Sequence, residues 1–132
     1  MEITYQDQRS GKATEISMDE DILRTLAEKA GIPEATEVRV RVRAENGPYG
    51  YTKQLSKNVY RVVINIRNSK PALSEGARYV VNNTLLHELR HVAQGQESGW
   101  HSLSGQYNGW SETEARKFGR TIKGQSEFFA VS

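Results

Sequence analysis

Residues 79–96 read Tyr79-Val80-Val81-Asn82-Asn83-Thr84-Leu85-Leu86-His87-Glu88-Leu89-Arg90-His91-Val92-Ala93-Gln94-Gly95-Gln96. Val81, Leu85, Leu89 and Val92 recur every three or four residues, with Val80, Leu86 and Ala93 beside them. That spacing predicts an amphipathic helix over about 74–96, with Gly95 as its stop. Inside it stands His87-Glu88-Leu89-Arg90-His91, an HExxH sequence. Positions i and i+4 share one helical face, with Cβ atoms ~5–6 Å apart, so two imidazoles there can grip one ion. Glu88 is turned about 100° from His87. It can stand beside the ion without ligating it and accept a proton from water that the ion has acidified. The chain of 132 residues has no cysteine and three histidines. Thiolate zinc sites, iron–sulfur clusters, disulfides and cysteine nucleophiles are therefore excluded. Any metal site must use His, Asp or Glu, and two of the three histidines fall in this one pattern.

A catalytic zinc needs a third protein ligand and one open position. C-terminal to the motif, residues 95–110 carry four glycines, two tryptophans and Tyr107 without periodicity. Ser111 then opens a helix over 111–123, with Ala115, Phe118 and Ile122 as its apolar stripe. The candidates for third ligand are Glu112, His101, Glu114 and, behind them, Glu97. Ser111 with Glu114 three residues on is a capping box, which gives Glu114 a local role. Glu112 shares the stripe of Ala115 and Gly119 that faces the core, and is preferred. The metzincin continuation needs Gly at 94 and His at 97, where this chain has Gln94 and Glu97, so that class is excluded.

Upstream, residues 2–6 and 12–17 alternate weakly and suggest a hairpin around Ser10-Gly11. Ser17 with Glu20 is a second capping box, opening a helix over 19–30 that carries Ile22, Leu23, Leu26 and Ala30 and stops at Gly31 and Pro33. Glu37-Val-Arg-Val-Arg-Val-Arg43 alternates strictly, which predicts a half-buried strand. Val38, Val40 and Val42 face the core, and Arg39, Arg41 and Arg43 form a basic outer face. Asn46-Gly47-Pro48 is a turn, residues 49–55 a short strand, Ser56-Lys57-Asn58 another turn, and Val59–Ile66 a central strand. Phe128 and Phe129 in the tail are placed to pack back as an edge element.

His-Glu-Leu-Arg-His-Val-Ala-Gln at 87–94, followed twenty residues later by Glu112-Thr-Glu-Ala115, resembles the small HExxH zinc metallopeptidases of the zincin fold, gluzincin type. The resemblance covers about residues 38–123. It implies an α+β fold: one minimal zincin-like domain over 1–132, with a small, mostly antiparallel sheet packed on the HExxH helix and on a C-terminal ligand-bearing helix. It implies Zn2+ held by His87, His91 and Glu112, peptide-bond hydrolysis with Glu88 as general base, and a protein or peptide substrate lying along the edge strand 49–55. Tyr107 is the chosen candidate for stabilising the oxyanion, with His101, Tyr49 and Tyr51 as alternatives. Position 116 is Arg where such proteins often carry an acidic or amide residue that orients a ligand histidine. Asn83, Gln94 or a backbone carbonyl must then serve that purpose.

Two other functional classes fit the same residues. One is a non-catalytic binding module braced by zinc. The other is an HExxH protease acting near DNA through Arg39, Arg41 and Arg43. The formal charge of +2 is small for a nucleic-acid partner, although residues 1–37 carry −5 and residues 38–132 carry +7. The first residues lack the pattern of a signal peptide and no apolar run reaches the ~20 residues that span a bilayer. A cytoplasmic protein without membrane contact is the expectation.

Overall fold

The computed structural model describes residues 1–11, 15–66, 75–98, 109–121 and 129–131. In chain order their elements are β1 (Glu2–Asp7), β2 (Ile16–Met18), α1 (Glu20–Lys29), β3 (Glu37–Arg43), β4 (Gly50–Ser56), β5 (Val59–Asn65), α2 (Glu75–Ser98), α3 (Gly109–Thr121) and β6 (Phe129–Val131). The fold is α+β, as the sequence predicts. Among the described residues no helix is long and apolar enough to cross a membrane.

A four-stranded sheet in the order β1-β3-β5-β4 forms the frame. β3 is parallel to both β1 and β5, and only β4 runs antiparallel, to β5. The sheet is therefore mixed, and the expectation of a mostly antiparallel one is corrected. The cause lies in β5. Val62, Val63, Ile64 and Asn65 are consecutive buried residues, the mark of a strand covered on both faces. It takes the interior position, so the connection from β3 to β4 must cross it rather than close a hairpin. Asn65 fixes that crossing: its amide nitrogen donates to Pro48 O at 2.8 Å, and its side-chain oxygen accepts from Glu45 N at 3.3 Å.

The predicted alternation of β3 holds. Val38, Val40 and Val42 are wholly buried against Tyr60, Val62 and Ile64 of β5 and the apolar stripe of α2. Arg39, Arg41 and Arg43 lie on the opposite face, where Arg39 pairs with Glu37 and Arg43 with Glu45. They stand across the sheet from α2.

Residues 12–14 lie outside the described residues, and among the described ones the expected hairpin between 2–6 and 12–17 is not formed. β2 pairs with the tail strand β6 instead, with Met18 opposite Phe129. A buried ion pair occupies the place of the ladder: Asp7 and Arg9 meet at 2.9 Å, and Asp7 also accepts from Ile16 N at 3.1 Å. α1 also starts differently. Because β2 runs to Met18, Ser17 is in a strand, and Asp19 is the N-cap, accepting from Asp21 N and Ile22 N. Leu23, Leu26, Ala27 and Ala30 form its buried face, while Ile22 is exposed. The chain leaves the helix through Gly31 at φ 87°, a conformation costly for other residues.

α2 packs Val81, Leu85, Leu86, Leu89, Val92 and Ala93 into the core, as its spacing predicts. Gly95 does not end it. The next turn is held by Gln96, whose amide donates to Thr36 Oγ1 and whose oxygen accepts from Tyr60 Oη. α3 begins two residues before the predicted start, so Ser111 lies within the helix rather than at its N-cap. Ala115 is buried and Phe118 packs against the core; Ile122 lies outside the described residues.

Candidate metal centre

α2 presents His87 and His91 one turn apart on the face that meets α3, and Glu112 stands in the first turn of α3. Three donor groups converge. The two Nε2 atoms are 3.1 Å apart, Glu112 Oε2 is 3.2 Å from His87 Nε2, and Glu112 Oε1 is 2.8 Å from His91 Nε2. Donors bound at ~2.0–2.1 Å around a tetrahedral ion stand about 3.3 Å from one another, so this spacing suits one small cation. His87, His91 and Glu112 are a His/His/Glu group within metal-binding distance.

The His91 tautomer agrees with ligation. Gln94 is fully buried, and its amide nitrogen donates to Glu114 Oε2 at 3.0 Å. Its oxygen must then face His91, where it lies 2.7 Å from Nδ1. Nδ1 therefore carries the proton, and Nε2 points its lone pair at Glu112 and His87. Burial, and then the neighbouring His91, push the His87 ring toward its neutral form, against the opposing pull of Glu112. Neutral imidazole is the form that binds metal. His87 Nε2, His91 Nε2 and the Glu112 carboxylate converge on one point, a donor set that suits a cation.

Glu88 is buried beside this group without joining it. Its Oε2 lies 4.0 Å from His87 Nε2, and its Oε1 accepts from Thr52 Oγ1 at 2.9 Å. Thr52 sits on β4, so the edge strand itself aims the carboxyl. Desolvation raises the Glu88 carboxyl from 4.5 to about 7, overcoming the opposing pull of His91 and of the Thr52 hydrogen bond. Gly50 lets β4 come this close: a Cβ there would meet Val63 O at 2.9 Å and Glu88 Cγ at 3.3 Å, besides Thr84 Cγ2.

Of the other predicted site residues, Glu114 is committed elsewhere. It forms an ion pair with Arg90, accepting from Arg90 Nε at 2.6 Å, besides accepting from Gln94. Burial alone would raise its carboxyl, but Arg90 and Gln94 hold it below the usual range. Arg90 also donates to Ala30 O at the end of α1, so one side chain ties three helices together. Glu97 is a further, looser partner of Arg90 at 3.8 Å. Tyr51 is turned to the outer sheet face, where it donates to Glu45 Oε2 at 3.1 Å, and Tyr49 is exposed. His101 and Tyr107 lie outside the described residues. Of the residues expected to orient a motif histidine, Gln94 meets His91. The parts of the site that sequence reading missed are Thr52, Gly50 and the Arg90–Glu114 pair. Thr52 is 36 residues from Glu88, and nothing local marks it.

The chain matches no known protein family, no curated protein and no solved structure in the three comparisons made.

Proposed function

We propose that this protein is a zinc-dependent metallopeptidase of the gluzincin type, with His87, His91 and Glu112 as ligands and Glu88 as general base. The observation that carries the reading is the position of Glu88. A purely structural site has no use for a buried carboxyl, held by Thr52, at 4.0 Å from a ligand nitrogen. Zinc held by the three ligands supplies Lewis acidity, which acidifies water and polarises a carbonyl. Glu88 does the proton work. With Oε1 held by Thr52, Oε2 takes the proton of the attacking water and delivers it to the leaving amine. Burial beside the three donors puts this carboxyl where it can serve that exchange. β4 is an edge of the sheet, and an extended peptide laid along it gains main-chain hydrogen bonds. The substrate class is accordingly protein or peptide.

The test is zinc content by native mass spectrometry together with cleavage of an unfolded protein substrate, for wild type and Glu112→Ala. One zinc per chain and cleavage in wild type, both lost in the variant, are expected. Stoichiometric zinc without cleavage of any protein substrate would reject the peptidase and leave a zinc-braced binding module.

A further inference from the structure

The outer face of the four-stranded sheet, turned away from α2, takes no part in the metal centre. Strand alternation decides which side chains it carries. Tyr60 and Val62 of β5 are in the core, so Arg61 between them faces outward. Thr52 of β4 meets Glu88, so Lys53 faces outward too. The register sets Arg39 opposite Arg61, and Arg61 opposite Lys53. Three cations therefore stand in one row across β3, β5 and β4, on strands ~4.8 Å apart. Arg41 lies in the next row, beside Val63 and Tyr51.

Like charges directly opposite one another cost a sheet stability. The crowding is felt at Arg41. Burial first, and then the charges of Arg39, Arg43 and Arg61, press its guanidinium below the usual arginine range, against Glu20. Its hydrogen bonds go to Thr4 O, Thr4 Oγ1 and Val40 O, which carry no countercharge. Carboxylates of this face stand at its ends: Glu2 opposite Glu37 at the start of β1 and β3, and Glu45 just after β3. Arg39 reaches Glu37 at 2.7 Å and Arg43 reaches Glu45 at 3.1 Å. Exposed pairs of this kind are weak, and a guanidinium has donors for a second anion. The central band is thus cationic although the whole chain carries only +2.

We infer that this face binds the phosphodiester backbone of a single nucleic-acid strand, laid across Arg39, Arg61 and Lys53 with Arg41 beside it. Charge complementarity and shape select the occupant. The centre of a protein–protein interface is poor in charge, whereas this centre is cationic and Val63 within it is wholly buried. Nucleic-acid interfaces are polar and strongly positive, and arginine forks match phosphate. The major groove of a duplex admits a helix or a two-stranded ribbon. A four-stranded face is too broad for it and suits one extended strand, whose bases can stack on a ring such as that of Tyr51. The inference does not depend on the peptidase reading, because the metal centre lies on the other side of the sheet.

Fluorescence anisotropy of the full chain with a labelled oligothymidylate of twenty nucleotides tests this, with a duplex of equal length and an oligoglutamate peptide as competitors. Wild type should bind with a Kd of ~1–100 μM at low salt. Four phosphate contacts correspond to a log–log salt slope of about −3, so affinity should fall about fifty-fold between about 50 and 200 mM salt. Arg39→Gln, Lys53→Gln and Arg61→Gln combined should weaken binding about tenfold or more and flatten the slope by about two, with circular dichroism unchanged. Arg39→Lys with Arg61→Lys should keep most of the affinity, and Arg24→Gln, on α1, should change nothing. No binding by wild type at low salt, or a folded triple variant that binds as well as wild type, overturns the inference. So does a loss in Arg24→Gln equal to that in the triple variant, or a duplex or oligoglutamate that competes as strongly as unlabelled oligothymidylate.

Discussion

Gln94 Oε1 sits 2.7 Å from His91 Nδ1, and the same amide donates to Glu114 Oε2. α3 therefore acts on His91 twice, directly through Glu112 and indirectly through Glu114 and Gln94. The Arg90–Glu114 ion pair locks this arrangement to α2 and, through Ala30 O, to α1. These contacts couple the geometry of the His87/His91/Glu112 group to the docking of α3.

Gln94→Ala removes the acceptor that fixes the His91 tautomer. Zinc affinity, measured by competition with a chromophoric chelator, should fall ~10–100-fold, the usual effect of losing a partner behind a ligand histidine. Unchanged affinity in a folded variant would show that Gln94 does not orient the ring.

Glu114→Ala leaves Arg90 partly buried without its main partner. The metal-free protein should lose ~1–3 kcal/mol in chemical denaturation. Arg90→Ala should be similarly costly, and the double variant should cost clearly less than the sum of the two. Additive losses would mean that the two side chains stabilise the fold independently.

The centre of this site was legible because it is written locally. The HExxH spacing places two imidazoles on one face of a helix whatever surrounds it, and the apolar stripe of Ala115 and Gly119 directs Glu112 toward the core. Strand and helix types followed from periodicity in the same way, as Val38, Val40 and Val42 show. Pairing did not. β5 took an interior position because both of its faces are buried, and β2 joined β6 from the far end of the chain. Long-range partners such as Thr52 with Glu88, or Arg90 with Glu114, are set by this topology and leave no periodic trace. Capping was misread for a related reason: Ser17 fits a capping box, but its pairing in β2 shifts the helix start and gives the cap to Asp19.

The raised Glu88 carboxyl gives a pH signature in the metal-free protein. Between 4.5 and about 7 the folded state retains a proton that the unfolded chain has released. Stability therefore falls as pH rises through that window, and this group's cost is complete above it. Glu88→Gln cannot ionise. Its stability relative to wild type should be near neutral below pH 4.5 and reach roughly 3 kcal/mol of gain at pH 8. Parallel pH profiles for the two proteins would show that Glu88 is not desolvated as described.

Gly50→Ala pushes a methyl group against Val63 O and Thr84. Backbone cannot yield cheaply, so β4 should shift away from α2, at a cost of ~1–3 kcal/mol in thermal or chemical unfolding. The Thr52–Glu88 hydrogen bond depends on the same approach, so cleavage should weaken beyond what the stability loss explains. A fully stable variant with unchanged cleavage would show that β4 does not need to lie this close.

The most direct test of the central claim is the rate of peptide cleavage by wild type and Glu88→Gln at equal, measured zinc occupancy. Wild type should cleave, and the variant, with its zinc intact, should be slower by ~10²–10⁴-fold, the span expected for losing a general base. Equal rates in the two proteins, or no cleavage by zinc-loaded wild type, would contradict the assignment.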